Sequence, residues 1–459
     1  MFHRFVLIIL LYGFLCSPMI TAQLQVPLPL QTTIDSLIET SVTDSIGFKR
    51  LTHLVDTFGP RLSGSRELEE AIDWIVETMQ TEQYDTVWKQ PVMVPNWKRG
   101  NESATLTLPY EKNLPMLGLG GSIGTPKRGI EAEVLVVSSF EELKERGEEA
   151  AGRIVVYNVP FTTYGQTVTY RLNGAVEAAR VGAVASLVRS IGPYGMQTPH
   201  TGNSRYQEGI DKIPHAAITM EDAMLLQRLQ DRGVPISIQL YMEAQTHPDT
   251  LSHNIIAEIR GSHFPEEIIV VGGHIDSWDV GQGAMDDAGG CVAAWEIIRL
   301  LKESDITPKR TIRVVLWTNE ENGLRGAKEY HRWVKEDEQS LDRHVLAIES
   351  DSGIFDPIGF GYGGDSDEAV AILSAIGKRL EPIGSGEITL GGGGADIGPL
   401  MQDGVPGMGL RVDRDRYFWY HHTHADTIDK LTIEDFNACV ATVLALTYGV
   451  ADWPVRLPR

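Results

Sequence analysis

A short glycine-rich segment, Gly272–Gly290, holds the residues best suited to chemistry. Within it His274 and Asp276 stand two residues apart, and the acidic pair Asp286 and Asp287 follows in the same segment. Imidazole and carboxylate groups without cysteine are the ligand set that binds hydrolytic zinc or a similar divalent ion. The segment therefore predicts a metal site.

The runs on either side of this segment predict where it lies in the fold. The preceding run, Glu267–Val271, is apolar and β-branched after its first residue, which indicates a buried strand of a parallel sheet. The following run, Cys291–Leu301, has the pattern of a helix. The ligand-type residues then lie beyond the carboxyl end of a strand, where open α/β sheets place their sites.

Three further acid- or histidine-bearing spots occur later in the chain, and two of them directly follow predicted strands. Glu320 and Glu321 come after one strand, Asp351 comes after the next, and Tyr420–Asp426 contains three histidines. Taken singly, each spot is also typical of a solvated loop, a helix cap or a surface histidine cluster. If all four spots gather at one end of the sheet, they can converge on a single centre, and their joint occurrence favours that interpretation.

A centre with two metals explains why so many carboxylates are needed. Two ions about 3.5–4 Å apart require a carboxylate shared between them, and each requires further histidine or carboxylate ligands. A nearby carboxylate that is not a ligand can take a proton from water and pass it on. The adjacent Glu320 and Glu321 suit this division, because neighbouring side chains point in different directions.

Length and composition limit the class of protein. A chain of 459 residues is too long for one typical core, so we expect two or more domains. The formal charge of -22 argues against nucleic acid as a partner, because phosphate requires a basic surface. Cys291 and Cys439 stand in apolar helical patterns and are predicted to be buried free thiols, with a disulfide left open.

The first residues, Met1–Ala22, have the features of a signal peptide: a basic Arg4, an apolar run over Phe5–Phe14 and a small-residue cleavage site. We therefore expect a secreted or periplasmic protein after cleavage near Ala22. The apolar run is too short to span a bilayer, and no other stretch reaches about 18 apolar residues, so no stable membrane span is expected. Lipidation at Cys16 is a minor alternative.

The segment Ile130–Met242 is predicted to form a separate unit after Leu117–Gly129, whose glycines are typical of a linker. Strand-like and helical runs alternate in it, and it carries no cluster of ligand-type residues. His200 and His215 are isolated, and we expect them in surface or loop positions. We interpret the segment as an inserted module that contributes no metal ligand and shapes the site, with a dimer face or a lid as a weaker hypothesis.

The chain resembles the co-catalytic di-zinc peptidase family of bacterial aminopeptidases and glutamate carboxypeptidase. The matching motifs are GGHIDSWDVGQGAMDDAGG, WTNEENGLRGA, ESDSG, GGGGADIGPLMQDGVPG and FWYHHTHADT. The resemblance implies an α/β fold, with a three-layer α/β/α zinc-peptidase domain, a mixed central sheet and an inserted protease-associated (α+β) domain. We place the signal peptide at 1–22, the catalytic domain at 23–117 and 250–459, and the insert at 118–249.

The family pattern also implies two Zn2+ per chain and their ligands. It assigns His274 and Asp351 to one metal and Glu321 and His422 to the other, with Asp286 bridging them. His422 is chosen over its neighbours because the family motif His-Thr/Ser-x-x-Asp-Thr fits only from that residue onward. The resemblance further implies a cis peptide bond after Asp286.

Other roles follow from the same resemblance. Glu320 is expected to be the general base, and Asp276 and Asp426 are expected to orient imidazole rings. Some relatives place a tyrosine just before the last histidine, where it helps to hold the oxyanion. Here that position is His421, and Tyr420 is one residue away, so both are candidates for an oxyanion or substrate contact.

The activity implied is that of a secreted di-zinc exopeptidase that removes one residue from dipeptides or short peptides. Two other classes are open. One is a zinc acyltransferase of the glutaminyl-cyclase type, which uses one metal, and the other is a non-catalytic receptor-type relative that has lost the ligands. The complete set of five ligands argues against both. A peptide substrate is the expected partner, and a homodimer is left open.

Overall fold

The structure, a computed structural model, describes residues 24–459 apart from the side chains of residues 414 and 415. The signal peptide predicted at 1–22 and Cys16 lie outside the described residues. Two eight-stranded mixed sheets dominate the fold, and the chain passes from the first to the second and back again. Strands and helices are numbered separately in chain order.

The first sheet carries the predicted ligands. In spatial order its strands are Thr86–Lys98 (β1), Gln245–Ile259 (β10), Arg310–Trp317 (β12), Phe264–His274 (β11), His344–Glu349 (β13), Gly407–Arg411 (β16), Gly359–Tyr362 (β14) and Glu387–Leu390 (β15). Strand β11 lies between β12 and β13 and runs parallel to both, whereas the edge pair β1 and β10 is antiparallel, so the sheet is mixed as predicted.

Helices cover both faces of this sheet. The described α-helices are Leu28–Thr43 (α1), Ile46–Phe58 (α2), Arg66–Thr81 (α3), Phe140–Glu145 (α4), Gly147–Ala150 (α5), Tyr164–Arg180 (α6), Met220–Asp231 (α7), Gly289–Glu303 (α8), Arg325–Arg332 (α9), Asp367–Gly377 (α10), Gly398–Gln402 (α11), Arg414–Tyr420 (α12) and Ile433–Ala451 (α13). Seven of them (α1, α2, α3, α8, α10, α12 and α13) share one apolar core with the sheet, and α9 and α11 share the core on its other face.

The alternating directions of the side chains along β11 explain why helices pack on both faces of the first sheet. Ile269 and Val271 belong to the core under α8 and α13, while Ile268 and Val270 belong to the core under α9. Successive side chains of a strand point to opposite faces, so a run that is apolar throughout fills both cores. The three-layer α/β/α arrangement predicted for this domain is confirmed.

Helix α13 is long and apolar enough to cross a membrane by length and composition. In this fold 78% of its apolar window is buried inside the protein, where it contacts α1 and α8. The apolar side chains of α13 therefore pack in the centre of the core. The two remaining cysteines, Cys291 in α8 and Cys439 in α13, are buried free thiols as predicted.

The second sheet forms the inserted unit. In spatial order its strands are Lys112–Leu114 (β3), Glu102–Leu108 (β2), Ser237–Met242 (β9), Ile130–Val137 (β5), Ile154–Tyr157 (β6), Ala185–Arg189 (β7), His215–Ile218 (β8) and Met116–Gly118 (β4). The strands β5 to β8 are parallel, with helices α4, α5 and α6 in the connections.

The boundaries of this unit differ from those predicted from the sequence. Residues 102–117, assigned to the catalytic domain, belong to the second sheet, because β2 pairs with β9 far along the chain. Residues 245–249, assigned to the insert, belong to β10 of the first sheet. The supposed linker Leu117–Gly129 is part of the unit, since its first residues pair with β8. Such long-range pairings leave no local pattern in the sequence.

Candidate metal centre

Three neighbouring parallel strands deliver the predicted ligands to one edge of the first sheet. His274 is the last residue of β11, Glu320 and Glu321 follow β12, and Asp351 follows β13. Because β11 lies between β12 and β13, these side chains meet at the carboxyl ends of the strands. The predicted convergence of the separate spots is therefore found in the fold.

The carboxylate of Asp286 lies between two histidines. Its Oδ1 is 3.2 Å from Nε2 of His274, and its Oδ2 is 3.3 Å from Nε2 of His422. The two oxygens of one carboxylate thus face different imidazoles. This is the geometry that a bridging carboxylate between two cations requires.

Each histidine also has a carboxylate of its own. On one side Nε2 of His274 is 3.4 Å from Oδ1 of Asp351. On the other side Nε2 of His422 is 3.0 Å from Oε2 of Glu321. The structure therefore brings the five predicted residues together as two histidine–carboxylate pairs on either side of Asp286.

The electrostatics of the cluster fit a pair of cations. Oδ2 of Asp286 and Oε1 of Glu321 are buried and have no hydrogen-bond partner among residues 24–459. Burial, together with nearby carboxylates, raises the pKa of Glu321 to about 7 and that of Glu320 well above its usual range. Several buried carboxylates so close together need cationic partners. Imidazole nitrogens together with carboxylate oxygens are the ligand set of zinc.

Asp287 lies beside this centre, near His274 and Asp351, but its carboxylate bonds to the main chain. Its Oδ2 accepts a hydrogen bond from the main-chain N–H of His274 at 3.1 Å, and its Oδ1 accepts one from Gly290 at 3.2 Å. Both oxygens are thus engaged by the main chain, whereas those of Asp286 face the imidazoles. The peptide bond between Asp286 and Asp287 is cis, as predicted.

The two carboxylates expected to orient imidazole rings have other main contacts. Nδ1 of His274 lies 2.9 Å from the main-chain carbonyl of Asp276 and 3.8 Å from its Oδ1. The carboxylate of Asp276 instead accepts the main-chain N–H of Glu320 at 3.0 Å. The ring-orienting role predicted for the Asp276 carboxylate is therefore corrected. The main-chain carbonyl of Asp276 fixes the His274 ring, and the carboxylate of Asp276 fixes the main chain at Glu320.

Asp426 likewise holds main chain, which corrects the ring-orienting role predicted for it. Its carboxylate accepts the N–H groups of Ala284, Met285 and Asp286 at 3.1, 2.8 and 3.2 Å. It therefore fixes the turn that presents the shared carboxylate. Burial, with the nearby Asp286, raises the pKa of Asp426 to about 7.

Of the two candidates for an oxyanion or substrate contact, only His421 lies at the centre. It is buried, its ring stacks on that of His422 with centroids 3.5 Å apart, and its Nε2 is 3.6 Å from Oδ2 of Asp286. Tyr420 points instead toward Phe355, with ring centroids 6.2 Å apart.

Sequence reasoning missed Tyr417, which lines the cavity beside the ligands and lies 5.0 Å from the His421 ring between centroids. The signal that could have found it is the i, i+4 spacing between Tyr417 and His421, which places both on one side of a helical turn. The main-chain N–H of His421 donates to the carbonyl of Tyr417 at 3.0 Å, which shows that the turn is formed.

A cavity of about 1000 Å³ opens over the ligands and is lined by both units. The second unit contributes Tyr164 and Arg171 to its wall but contributes no residue to the pairs described above. His215, expected in a surface or loop position, is instead buried in β8 at 0% exposure. His200 lies in the connection between β7 and β8, as a loop position requires, but it is buried at 2% exposure. The burial of both histidines was not predicted because the core of the second unit was not visible in the sequence.

Comparisons with known proteins agree with this geometry. A model described as Peptidase family M28 matches residues 254–447. Carboxypeptidase Q of Xenopus laevis is 49% identical, over 90% of this chain and 87% of that protein, and the human carboxypeptidase Q is 47% identical over 90% and 86%. A peptidase M28 precursor of Shewanella amazonensis has a similar structure, with a TM-score of 0.89, 34% identity and coverage of 94% of this chain and 98% of its own.

The fold, the histidine–carboxylate pairs around Asp286 and these similarities all indicate the same protein family. Nearly the whole described chain aligns with relatives well above 30% identity, and the ligand-bearing part is the part that the family model matches. The chain therefore belongs to peptidase family M28 and is a metallo-exopeptidase.

Proposed function

We propose that the protein is a secreted di-zinc exopeptidase that hydrolyses dipeptides or short peptides. The observation that carries the proposal is the position of Asp286, whose two oxygens face His274 on one side and His422 on the other. A site for one metal has no use for a carboxylate shared in this way. The alternative of a one-metal acyltransferase is therefore disfavoured.

Five residues would hold the two ions: His274 and Asp351 one of them, Glu321 and His422 the other, with Asp286 shared. When bound, zinc supplies a Lewis acid that polarises the scissile carbonyl and makes water more acidic. The ligands sit at strand ends and on a turn fixed by hydrogen bonds, so the arrangement is rigid before any substrate arrives.

Glu320 acts as the general base in this proposal. Its carboxylate lines the cavity and, unlike that of Glu321, forms no ion pair with an imidazole among the described residues. Its main chain is fixed by the carboxylate of Asp276. The Glu320 carboxylate takes a proton from the attacking water and delivers it to the nitrogen of the leaving amine.

The substrate range follows from the shape of the cavity and from the relatives. Pockets for small ligands span about 300–1,000 Å³, so a cavity of about 1000 Å³ covered by the second unit suits a short peptide. Relatives that are 47–49% identical are named carboxypeptidase Q. The signal-peptide pattern over Met1–Ala22 supports export.

A zinc titration of the metal-free protein, followed by peptide assays, tests this proposal. We expect hydrolysis of free dipeptides to reach its maximum at two zinc per chain and to be lost on chelation. Asp286→Asn should bind zinc weakly at both positions and lose activity, whereas Asp452→Asn, at a remote part-buried carboxylate, should behave as wild type. Dipeptides blocked at either end identify the terminus recognised. Full activity at one zinc per chain would overturn the proposal.

A further inference from the structure

The ring of His422 is held by the second unit. Its Nδ1 lies 3.3 Å from the main-chain carbonyl of Thr201, in the connection between β7 and β8, and 3.3 Å from Nη1 of Arg171 in α6. By contrast, Nδ1 of His274 lies 2.9 Å from the carbonyl of Asp276 in its own loop. One histidine of the centre is thus oriented locally, and the other is oriented by a residue of a different sheet.

The main chain of His422 is held from the same place. The N–H of Thr201 donates to the carbonyl of His422 at 2.9 Å. His422 has a φ of 61°, in the left-handed region that residues other than glycine rarely adopt. Such a conformation is unfavourable for residues other than glycine and persists only where surrounding contacts fix it. The paired contacts from Thr201 supply such a constraint.

Thr201 is itself fixed on several sides. It is fully buried, and its hydroxyl donates to the carbonyl of Gly118 at 2.9 Å. The guanidinium of Arg99 donates to the same hydroxyl oxygen at 3.3 Å, and that of Arg171 donates to the Thr201 carbonyl at 3.2 Å. The carbonyl that faces the His422 ring therefore has little freedom to move.

The contacts that fix Thr201 extend, through Arg99, to the loop that follows His274. Nε of Arg99 donates to Oδ2 of Asp279 at 2.8 Å, and both side chains are largely buried. The neighbouring Trp278 packs into the core of the second unit, with its ring 5.6 Å from that of His422 between centroids. The second unit is therefore docked on the metal-binding loop by an ion pair and by apolar contact.

We propose that Thr201 is a positioning residue, whose main chain sets the ring of His422 so that its Nε2 faces the second zinc position. This inference rests on the proposed function. When Nε2 of a neutral imidazole faces a metal, Nδ1 carries the proton, and here the Thr201 carbonyl can accept it. The guanidinium of Arg171 then donates to the same carbonyl rather than to Nδ1. The inserted unit then helps to build the metal site without contributing a ligand.

Thr201→Val tests the proposal, because it keeps the branched shape and removes the hydroxyl that anchors this segment. We expect one of the two zinc ions to bind about 10- to 100-fold more weakly, the usual effect of losing a contact behind a metal ligand, while the other binds as in wild type. The measurement is competition for zinc between the full-length protein and a chelating indicator, which resolves the two binding steps.

Thr219→Val is a matched control. Thr219 is also fully buried in the second unit, and its hydroxyl makes two hydrogen bonds, one from the N–H of Asp222 at 3.1 Å and one to its Oδ2 at 2.9 Å. Loss of this helix cap should lower the urea concentration at the midpoint of unfolding. Because Thr219 has no contact with His422, both zinc affinities should stay at wild-type values.

Asp279→Asn provides a second variant, which leaves Thr201 intact and weakens the docking through Arg99. It should lower the affinity of the same zinc position. Wild-type affinities in both Thr201→Val and Asp279→Asn would overturn the inference, and so would equal losses in Thr201→Val and Thr219→Val. A wild-type protein that binds only one zinc would instead overturn the proposed function, so the two failures are distinguishable.

Discussion

Nε of Arg61 donates a hydrogen bond to the main-chain carbonyl of Ile275 at 3.0 Å, directly after the predicted ligand His274. The same guanidinium donates to the carbonyls of Gln282 and Gly283 at 2.7 and 3.0 Å, just before the turn that carries Asp286. One fully buried arginine therefore joins both ends of the loop that separates two predicted ligands. The distance between those ligands depends on this contact.

Arg61→Lys should destabilise the protein by about 2–4 kcal/mol, because a single ammonium cannot replace the guanidinium at every carbonyl and leaves buried acceptors unpaired. Urea unfolding measures the change in free energy. The control is Arg66→Lys at a side chain that is 77% exposed, for which no change is expected. Equal stability of both variants would contradict the structural role given to Arg61.

Glu320→Gln should leave both zinc positions filled and reduce turnover by about two to four orders of magnitude, because the amide cannot accept a proton from water. Zinc content and the rate of dipeptide hydrolysis are measured on the same sample. Glu321→Gln serves as the contrast, since it should lose zinc as well as activity. A Glu320→Gln variant that binds two zinc ions and keeps the wild-type rate would contradict the role of Glu320 as the general base.

Asp426→Asn should weaken both zinc positions together, by about 10- to 100-fold. The reason is that its carboxylate accepts three main-chain N–H groups, including that of the shared Asp286, and an amide can offer only one oxygen. Competition with a chelating indicator measures both affinities. A loss confined to one position would mean that Asp426 acts on a single imidazole after all.

The ligands could be predicted from the sequence because each stands in a local pattern. His274, Glu321 and Asp351 follow apolar strands, and parallel strands that are neighbours in the sheet bring their carboxyl ends together. The family motif supplied the choice of His422. These signals need only a few consecutive residues, so one sequence suffices to find them.

Other features depend on residues far apart in the chain. The pairing of β2 with β9 and the contact between Thr201 and His422 join segments with no common local pattern.

His215, in the core of the second unit, makes folding sensitive to acid. Burial lowers the pKa of His215 to about 4, and the nearby Arg171 adds to the effect. With the proton on Nε2, the neutral ring donates to the carbonyl of Arg171 at 3.1 Å and accepts from the hydroxyl of Ser186 at 2.8 Å on Nδ1. A second proton would place a positive charge in the buried core, which burial opposes.

The unfolded chain has an ordinary histidine pKa of about 6.5, so it binds more protons than the folded protein between pH 6.5 and pH 4. Stability therefore falls as pH drops through this window, and His215 should account for about 2 kcal/mol of the loss between pH 7 and pH 5. In His215→Gln, which cannot be protonated, the decrease in the free energy of unfolding should be smaller by this amount. Urea unfolding of both proteins at pH 7 and at pH 5 measures the difference between their decreases in free energy. The contributions of other titrating groups are the same in both proteins and cancel. An equal decrease in the two proteins would show that His215 is protonated in the folded state.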